Sequence, residues 1–293
     1  MQFTLTIWKY HYILAVKSAN YRMCILNLFN LISRKLDCFT VRPDDRGAIA
    51  SYLQRTFVNM QKILGTDISL EIGAHEAGYS RDVRAVLPVD APVIAFEASP
   101  ATYKYYATEL SQLFDGIEYL NLAVADKSKK IEFLEYGVAG SGGGVSSGYS
   151  SMYERGEAFL GPARQKRSVE VEAVSGDDFL RRHYPDKNMA AFWIDVEGAQ
   201  AEVLEGFKET FAAKKIACVY IEVELVKMWP GQKMLAEEIV RFFYEREFTA
   251  VLRDNHWVEQ FNMVFVRNDL LKNHYDEFMH LGAKYMACID NLE

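Results

Sequence analysis

Residues 70–80 read Leu-Glu-Ile-Gly-Ala-His-Glu-Ala-Gly-Tyr-Ser, and they join the end of an apolar run to a glycine-containing turn. Residues 68–72 are short and apolar, as expected for a buried strand, and Gly73 marks a sharp turn after it. Residues 79–87 can then form a helix that stops at Pro88. A strand, a glycine turn and a helix in this order allow a ligand to approach the backbone closely.

The alternation of strands and helices continues along the chain. Further strands are predicted at residues 93–96, 117–124, 130–136, 168–173, 190–194, 216–223, 249–253 and 263–267. Helices are predicted at residues 46–64, 100–114, 177–183, 200–213 and 232–247. This order predicts an α/β, Rossmann-like fold with a mainly parallel seven-stranded sheet, and the short last connection predicts a C-terminal antiparallel hairpin.

Two parts of the chain stand apart from this alternation. Residues 1–40 are aromatic and aliphatic with interspersed basic side chains, which predicts one or two amphipathic helices. Packing on the domain or on a partner is favoured, and attachment to a membrane surface is the alternative. We therefore expect a helical extension at residues 1–45 and one domain at residues 46–293. The Gly/Ser-rich loop at residues 137–151 is expected to be a mobile substrate lid.

Composition excludes several classes of protein. The 293 residues carry a formal net charge of −7 with a pI near 5.5, which disfavours binding to nucleic acid. The four cysteines are scattered and form no CxxC pair, so neither a zinc site nor a disulfide framework is expected. The longest apolar run near the N-terminus is too short to cross a bilayer and has no cleavage site after it. A reducing, cytoplasmic setting is expected.

Acidic side chains lie at the carboxyl ends of four predicted strands: Glu71, Glu97, the pair Asp195 and Glu197, and Glu222. Because open parallel sheets bind ligands at the carboxyl ends of their strands, this repetition indicates a functional cleft. Glu97, Asp195 and Glu197 also have a structural interpretation as caps of the helices that follow them.

These acids suggest particular ligand groups. Glu71 could accept a hydrogen bond from an ammonium group, while the amides of the following turn could hold a carboxylate. Glu97 could accept both hydroxyls of a ribose. Asp195 and Glu197 alternate along an extended backbone, so either could orient an acceptor hydroxyl or take its proton. No recognisable metal-ligand spacing is present, and no metal is predicted.

Five runs of sequence together resemble the FkbM-type methyltransferases: residues 70–80, 95–100, 121–126, 193–198 and 203–206. The runs stand in the order and spacing of that family, and the resemblance covers roughly residues 66–268. It implies a class I fold, S-adenosylmethionine as cofactor, and O-methylation of hydroxyls on sugars, polyketides or related natural products. The expected partner is thus a small hydroxylated acceptor, with a saccharide as the leading candidate.

The resemblance also implies roles for individual residues. Candidate cofactor contacts are Glu71, Gly73, Ala74, His75, Tyr79, Ser80, Glu97, Ala98, Asn121 and Ala123. Candidate catalytic residues are Asp195 first, then Glu197, with Glu222 and His256 as outside choices. For His256, a plain loop histidine is the favoured interpretation.

The chain departs from the family at the glycine turn. Glu71, His75 and Ala77 stand where the family usually has Asp, Asn and a second Gly. An inactive, methyltransferase-like binding or scaffold protein is therefore one alternative function. A nucleotide-dependent oxidoreductase is another, although the G-x-G-x-x-G turn that it needs is missing.

Overall fold

The structure is a computed structural model that describes residues 20–38, 43–113, 115–137, 148–156, 165–255, 257 and 259–292. The helices are α1 (Asn20–Cys38), α2 (Pro43–Leu64), α3 (Gly78–Arg84), α4 (Pro100–Leu113), α5 (Gly176–His183), α6 (Gln200–Gly206), α7 (Lys208–Ala212), α8 (Ala236–Glu245), α9 (Asn268–Asn273) and α10 (Tyr275–Asp290). The strands are β1 (Ile68–Ile72), β2 (Val93–Phe96), β3 (Ile117–Leu120), β4 (Ala123–Ala125), β5 (Lys129–Gly137), β6 (Gln165–Ser175), β7 (Ala190–Ile194), β8 (Ile216–Glu224), β9 (Phe248–Arg253) and β10 (Gln260–Arg267).

The strands form two sheets. A seven-stranded sheet has the order β3-β2-β1-β7-β8-β10-β9, and a three-stranded sheet has the order β4-β6-β5. The pairs β3-β2, β2-β1 and β1-β7 are parallel, whereas β8-β10 and β10-β9 are antiparallel. This confirms the predicted α/β fold with a mainly parallel seven-stranded sheet and a C-terminal antiparallel hairpin.

The chain divides into two compact units. The cavity unit comprises Thr66–Ile216 and Lys227–Met234. At its centre, all five residues of β1 are buried, as expected for a parallel strand with β2 and β7 on its two sides. The small sheet belongs to this unit too, with β6 parallel to β4 and antiparallel to β5.

The terminal unit comprises residues 217–226 and 235–293 and the described parts of residues 1–65. Helix α1 packs on β9, where the Arg22 Nε donates to the Thr249 Oγ1 at 3.1 Å. Helix α10 is held by the Tyr285 hydroxyl, which donates to the backbone carbonyl of Arg253 at 2.8 Å. In the part of the chain that the structure describes, we find no helix long and apolar enough to cross a membrane. The domain boundary at residue 45 stays a prediction.

Three sequence-based assignments of secondary structure differ from the structure. Residues 117–124 were expected to form one strand, but β3 ends at Leu120 and β4 joins the small sheet. The break lies at Asn121, whose side-chain amide donates to the carbonyls of Glu97 and Ala98. Residues 200–213 form two helices instead of one, because Phe207 is fully buried and its ring lies 4.4 Å from that of Phe192. Helices α9 and α10 were not expected at all.

Candidate functional site

A cavity of about 170 Å³ opens in the cavity unit at the carboxyl ends of β1, β2 and β7. Seven of the predicted site residues line it: Gly73, His75, Glu97, Ala98, Ala123, Asp195 and Glu197. The cavity therefore lies at the carboxyl ends of the parallel strands, where the sequence predicts a functional cleft.

The glycine turn after β1 lies against the end of β7. Gly73 has φ +84°, and a Cβ atom at this position would lie only 1.7 Å from the backbone oxygen of Asp195. The amides of Gly73 and Ala74 both donate to the carbonyl of Phe96, at 3.0 and 2.9 Å. Only glycine permits this approach, so the turn fixes the distance between the first loop of the cavity and Asp195.

Glu97 is the acidic residue at the end of β2. Its Oε2 accepts a hydrogen bond from the backbone amide of His75, and its Oε1 accepts one from the backbone amide of Ser99, both at 2.7 Å. Burial raises the pKa of Glu97 to about 7, and the nearby acids Glu135 and Asp195 add to the shift. The carboxylate is thus held rigidly in the cavity wall and is close to its point of titration at neutral pH.

Glu71 has a different environment from the one expected. Its carboxylate accepts hydrogen bonds from the backbone amides of Tyr79 (3.3 Å) and Ser80 (2.8 Å) at the start of α3. Burial raises the pKa of Glu71 to about 8. None of these three residues is among those that line the cavity, and neither are Ala74 and Asn121. The structure places Glu71 at the N-terminus of a helix, where an acid is favourable.

Three residues of the two cavity loops have left-handed backbone conformations: His75 (φ 46°), Ala77 (φ 54°) and Glu197 (φ 51°). A residue with a Cβ atom loses about 1–2 kcal/mol in this conformation relative to a right-handed one. Such residues concentrate at functional sites. Ala77 therefore adopts the left-handed conformation that glycine favours, and this lowers the free energy of unfolding.

Asp195 and Glu197 both line the cavity, from the loop after β7. The buried Ser151 donates its hydroxyl to the backbone carbonyl of Glu197 at 2.7 Å. Gly198 follows with φ +91°, and a Cβ atom there would lie 2.9 Å from the ring of Trp229. Contacts on both sides thus fix the conformation of this loop, and two acidic residues line one cavity.

Two candidate catalytic residues remain, Glu222 and His256. Glu222 belongs to the terminal unit and lies opposite Asn262 in the ladder of β8 and β10. His256 lies outside the described residues.

The expected lid falls partly outside the described residues, which resume at residue 148. The part that is described is held firmly, because Ser151 and Leu134 exchange two backbone hydrogen bonds of 2.8 and 3.1 Å. Gly148, Ser150 and Met152 line the cavity. Residues 148–152 therefore form a wall of the cavity.

Several lining residues were missed by the sequence analysis: Phe96, Thr102, Leu122, Ile131, Phe133 and Met152. The alternation of β5 could have indicated Ile131 and Phe133, since both side chains point to the same face of that strand. Thr102 lies in the first turn of α4, and no sequence signal distinguishes it from an ordinary helix residue.

Comparison with known proteins identifies the family. The family model described as "Methyltransferase FkbM domain" matches residues 71–250 of this chain. A search of curated proteins found no significant match.

The chain is also similar to solved structures. An O-methyltransferase from Bacillus cereus in complex with SAH is 12% identical, with a TM-score of 0.39 over 88% of this chain and 96% of that one. An O-methyltransferase from Streptomyces achromogenes in complex with SAM is 10% identical, with a TM-score of 0.40 over 82% and 97%. A SAM-dependent methyltransferase from Aquifex aeolicus is 11% identical, with a TM-score of 0.37 over 76% and 97%. These similarities are too distant to bear on the acceptor. The match over residues 71–250 shows that the chain belongs to the FkbM methyltransferase family and is an S-adenosylmethionine-dependent methyltransferase.

Proposed function

We propose that the protein transfers the methyl group of S-adenosylmethionine to a hydroxyl oxygen of a small acceptor, a saccharide or another natural product. The observation that carries the proposal is the convergence of Glu97, Asp195 and Glu197 on one cavity beside a glycine turn. The cavity thus has an acid suited to a ribose and two further acids suited to an acceptor hydroxyl.

The residues of the cavity fit the cofactor. Glu97, with its carboxylate fixed by two backbone amides, would accept the two ribose hydroxyls. Gly73 and His75 would lie along the amino acid end of the cofactor, and Ala98 and Leu122 supply apolar surface for the base. Glu71, the remaining member of the expected site, would act through α3 by holding the turn in shape.

The bound cofactor supplies an electrophilic methyl group, and the protein has to align an oxygen with it and remove a proton. Asp195 is the first candidate for the base, because its backbone lies against Gly73 and the residue lines the cavity. It would accept the proton of the acceptor hydroxyl on a carboxylate oxygen as the C–O bond forms and the methyl–sulfur bond breaks, which would leave S-adenosylhomocysteine. Glu197 would orient the same hydroxyl or replace Asp195 in this role. The apolar residues Ile131, Phe133 and Met152 would exclude water.

A binding or scaffold protein without activity is the second candidate function. It is favoured by Ala77, which occupies a left-handed position where the family usually has glycine. The match to a methyltransferase family disfavours the other alternative, a nucleotide-dependent oxidoreductase. A cytoplasmic setting is also part of the proposal; it is supported by the described Cys24, Cys218 and Cys288, which are free thiols.

The test of the proposal is transfer of a tritium-labelled methyl group from the cofactor to a panel of monosaccharides, glycosides and hydroxylated natural products. The variant Asp195→Asn keeps the shape of the side chain and removes the base, so transfer should fall by about 10²–10⁴-fold. Its affinity for S-adenosylhomocysteine should stay within about threefold of the wild type. Binding of the cofactor without transfer to any hydroxyl would favour the scaffold instead.

A further inference from the structure

Thr102 carries a buried hydroxyl that the described residues leave without a hydrogen bond. Its side chain is 1% exposed and lines the cavity. Its Oγ1 has no hydrogen-bond partner among the residues that the structure describes. Because a buried hydroxyl without a partner is unfavourable, a ligand that supplies the missing hydrogen bond would gain affinity from it.

The hydroxyl is not needed by the helix on which it lies. Ser99 caps α4, since the backbone amide of Thr102 donates to the Ser99 Oγ at 3.2 Å. The same Ser99 hydroxyl donates to Glu135 at 2.5 Å. The backbone amide of Ser99 in turn donates to Glu97. Thr102 is therefore held by a short chain of hydrogen bonds that starts at the proposed ribose acid, while its own hydroxyl is left over for a ligand.

The surroundings of this hydroxyl suit a planar base. Ala98 and Leu122 line the cavity together with Thr102, and Ile131 and Phe133 add apolar surface from β5. A flat heteroaromatic ring with a polar edge satisfies apolar walls and a single hydroxyl at once.

We infer that the Thr102 hydroxyl recognises the adenine of the cofactor at its Watson–Crick edge, and this inference rests on the proposed function. Adenine is joined to the ribose through N9, so N1 and the 6-amino group lie at the far edge of the ring. Glu97 and Thr102 line the same cavity, so a ribose held by Glu97 would leave that edge free to reach the first turn of α4. A threonine hydroxyl can donate to N1 or accept from the amino group.

The test uses Thr102→Val, which keeps the shape of the side chain, and Thr102→Ser, which keeps the hydroxyl, as the matched control. Titration with S-adenosylhomocysteine and with adenosine should show Thr102→Val binding both ligands about tenfold more weakly than the wild type. Thr102→Ser should stay within about threefold. Thermal unfolding of free Thr102→Val should be unchanged or shifted upward, since no internal hydrogen bond is lost.

A set of edited ligands locates the contact on the base. Purine riboside lacks the 6-amino group, 1-deazaadenosine lacks N1, and 7-deazaadenosine lacks N7 on the opposite edge. At least one of the first two edits should weaken binding to the wild type and have little effect on Thr102→Val, whereas the third should affect both proteins equally.

Several results would overturn the inference. These are unchanged affinity of Thr102→Val, an equal loss in Thr102→Ser, a destabilised free Thr102→Val, or coupling to N7 alone. Each of them would leave the proposed function intact if the wild type binds S-adenosylhomocysteine. Failure of the wild type to bind would reject the proposed function itself.

Discussion

Glu97 gives the cofactor site a pH dependence that can be calculated from the structure. Burial raises the pKa of its carboxyl to about 7 in the free protein, above the ordinary value of 4.5. Only the ionised form can accept both ribose hydroxyls, since the protonated form carries a donor on one oxygen. Affinity should therefore be full above the raised pKa and should fall as the pH drops through it.

The size of the effect follows from the ionised fraction. With a pKa of about 7, roughly nine-tenths of Glu97 is ionised at about pH 8 and roughly one-tenth at about pH 6. The apparent dissociation constant should thus be about tenfold larger at pH 6, and binding there should release nearly one proton per site. At about pH 8 the release should be close to zero.

Calorimetric titration with adenosine measures both quantities. Adenosine contains the ribose and the base but lacks the amino acid end of the cofactor, so the titration of that end does not contribute. Repeating the titration at pH 6 in buffers with different enthalpies of ionisation gives the number of protons released. Equal affinity at the two pH values, or tighter binding at pH 6 with proton uptake, would refute the assignment of Glu97 to the ribose.

Three substitutions test the loops of the cavity. Ala77→Gly should raise the free energy of unfolding by about 0.5–1 kcal/mol in urea denaturation, because it relieves a left-handed alanine; a loss of stability would count against strain at this position. Ser151→Ala should lower the free energy of unfolding by about 1–3 kcal/mol, because the hydrogen bond to the Glu197 carbonyl is lost. In the same variant, the rate of labelled methyl transfer should fall more than the affinity for the cofactor. Equal losses of rate and affinity would mean that Ser151 does not act through Glu197. Gly73→Ala should abolish binding of S-adenosylhomocysteine, since its Cβ would overlap the backbone of Asp195, and retained binding together with an unchanged circular dichroism spectrum would contradict the described turn.

Much of the fold could be predicted because local pattern and tertiary structure agree in the parallel part of the sheet. Apolar runs that end at a polar residue or a glycine predict strand β1, its glycine turn and the acids after β2 and β7. The break after β3 could not be predicted, because it depends on the side chain of Asn121 reaching the carbonyls of a different loop. Phe207 likewise interrupts a sequence with good helical periodicity, because its ring is buried against Phe192.

For the site, the sequence predicts which edge of the sheet carries it and most of the acidic residues that line it. Glu97, Asp195 and Glu197 line the cavity as their positions after strands suggest. Glu71 also lies at the end of an apolar strand, yet its carboxylate accepts hydrogen bonds from the backbone amides at the start of α3. The strand pattern does not predict the direction of this side chain. Thr102 could not be found from sequence, since its significance lies in the absence of a described partner for one buried atom.

The assignment of the cavity to the cofactor can be tested by calorimetric titration of the full chain with S-adenosylmethionine and S-adenosylhomocysteine, repeated on Glu97→Ala. Saturable binding at one site per chain is expected for the wild type. Loss of two charge-assisted hydrogen bonds should weaken the variant by about 10²-fold or more. Absence of saturable binding to the wild type, or equal binding by Glu97→Ala, would contradict the assignment of this cavity to the cofactor.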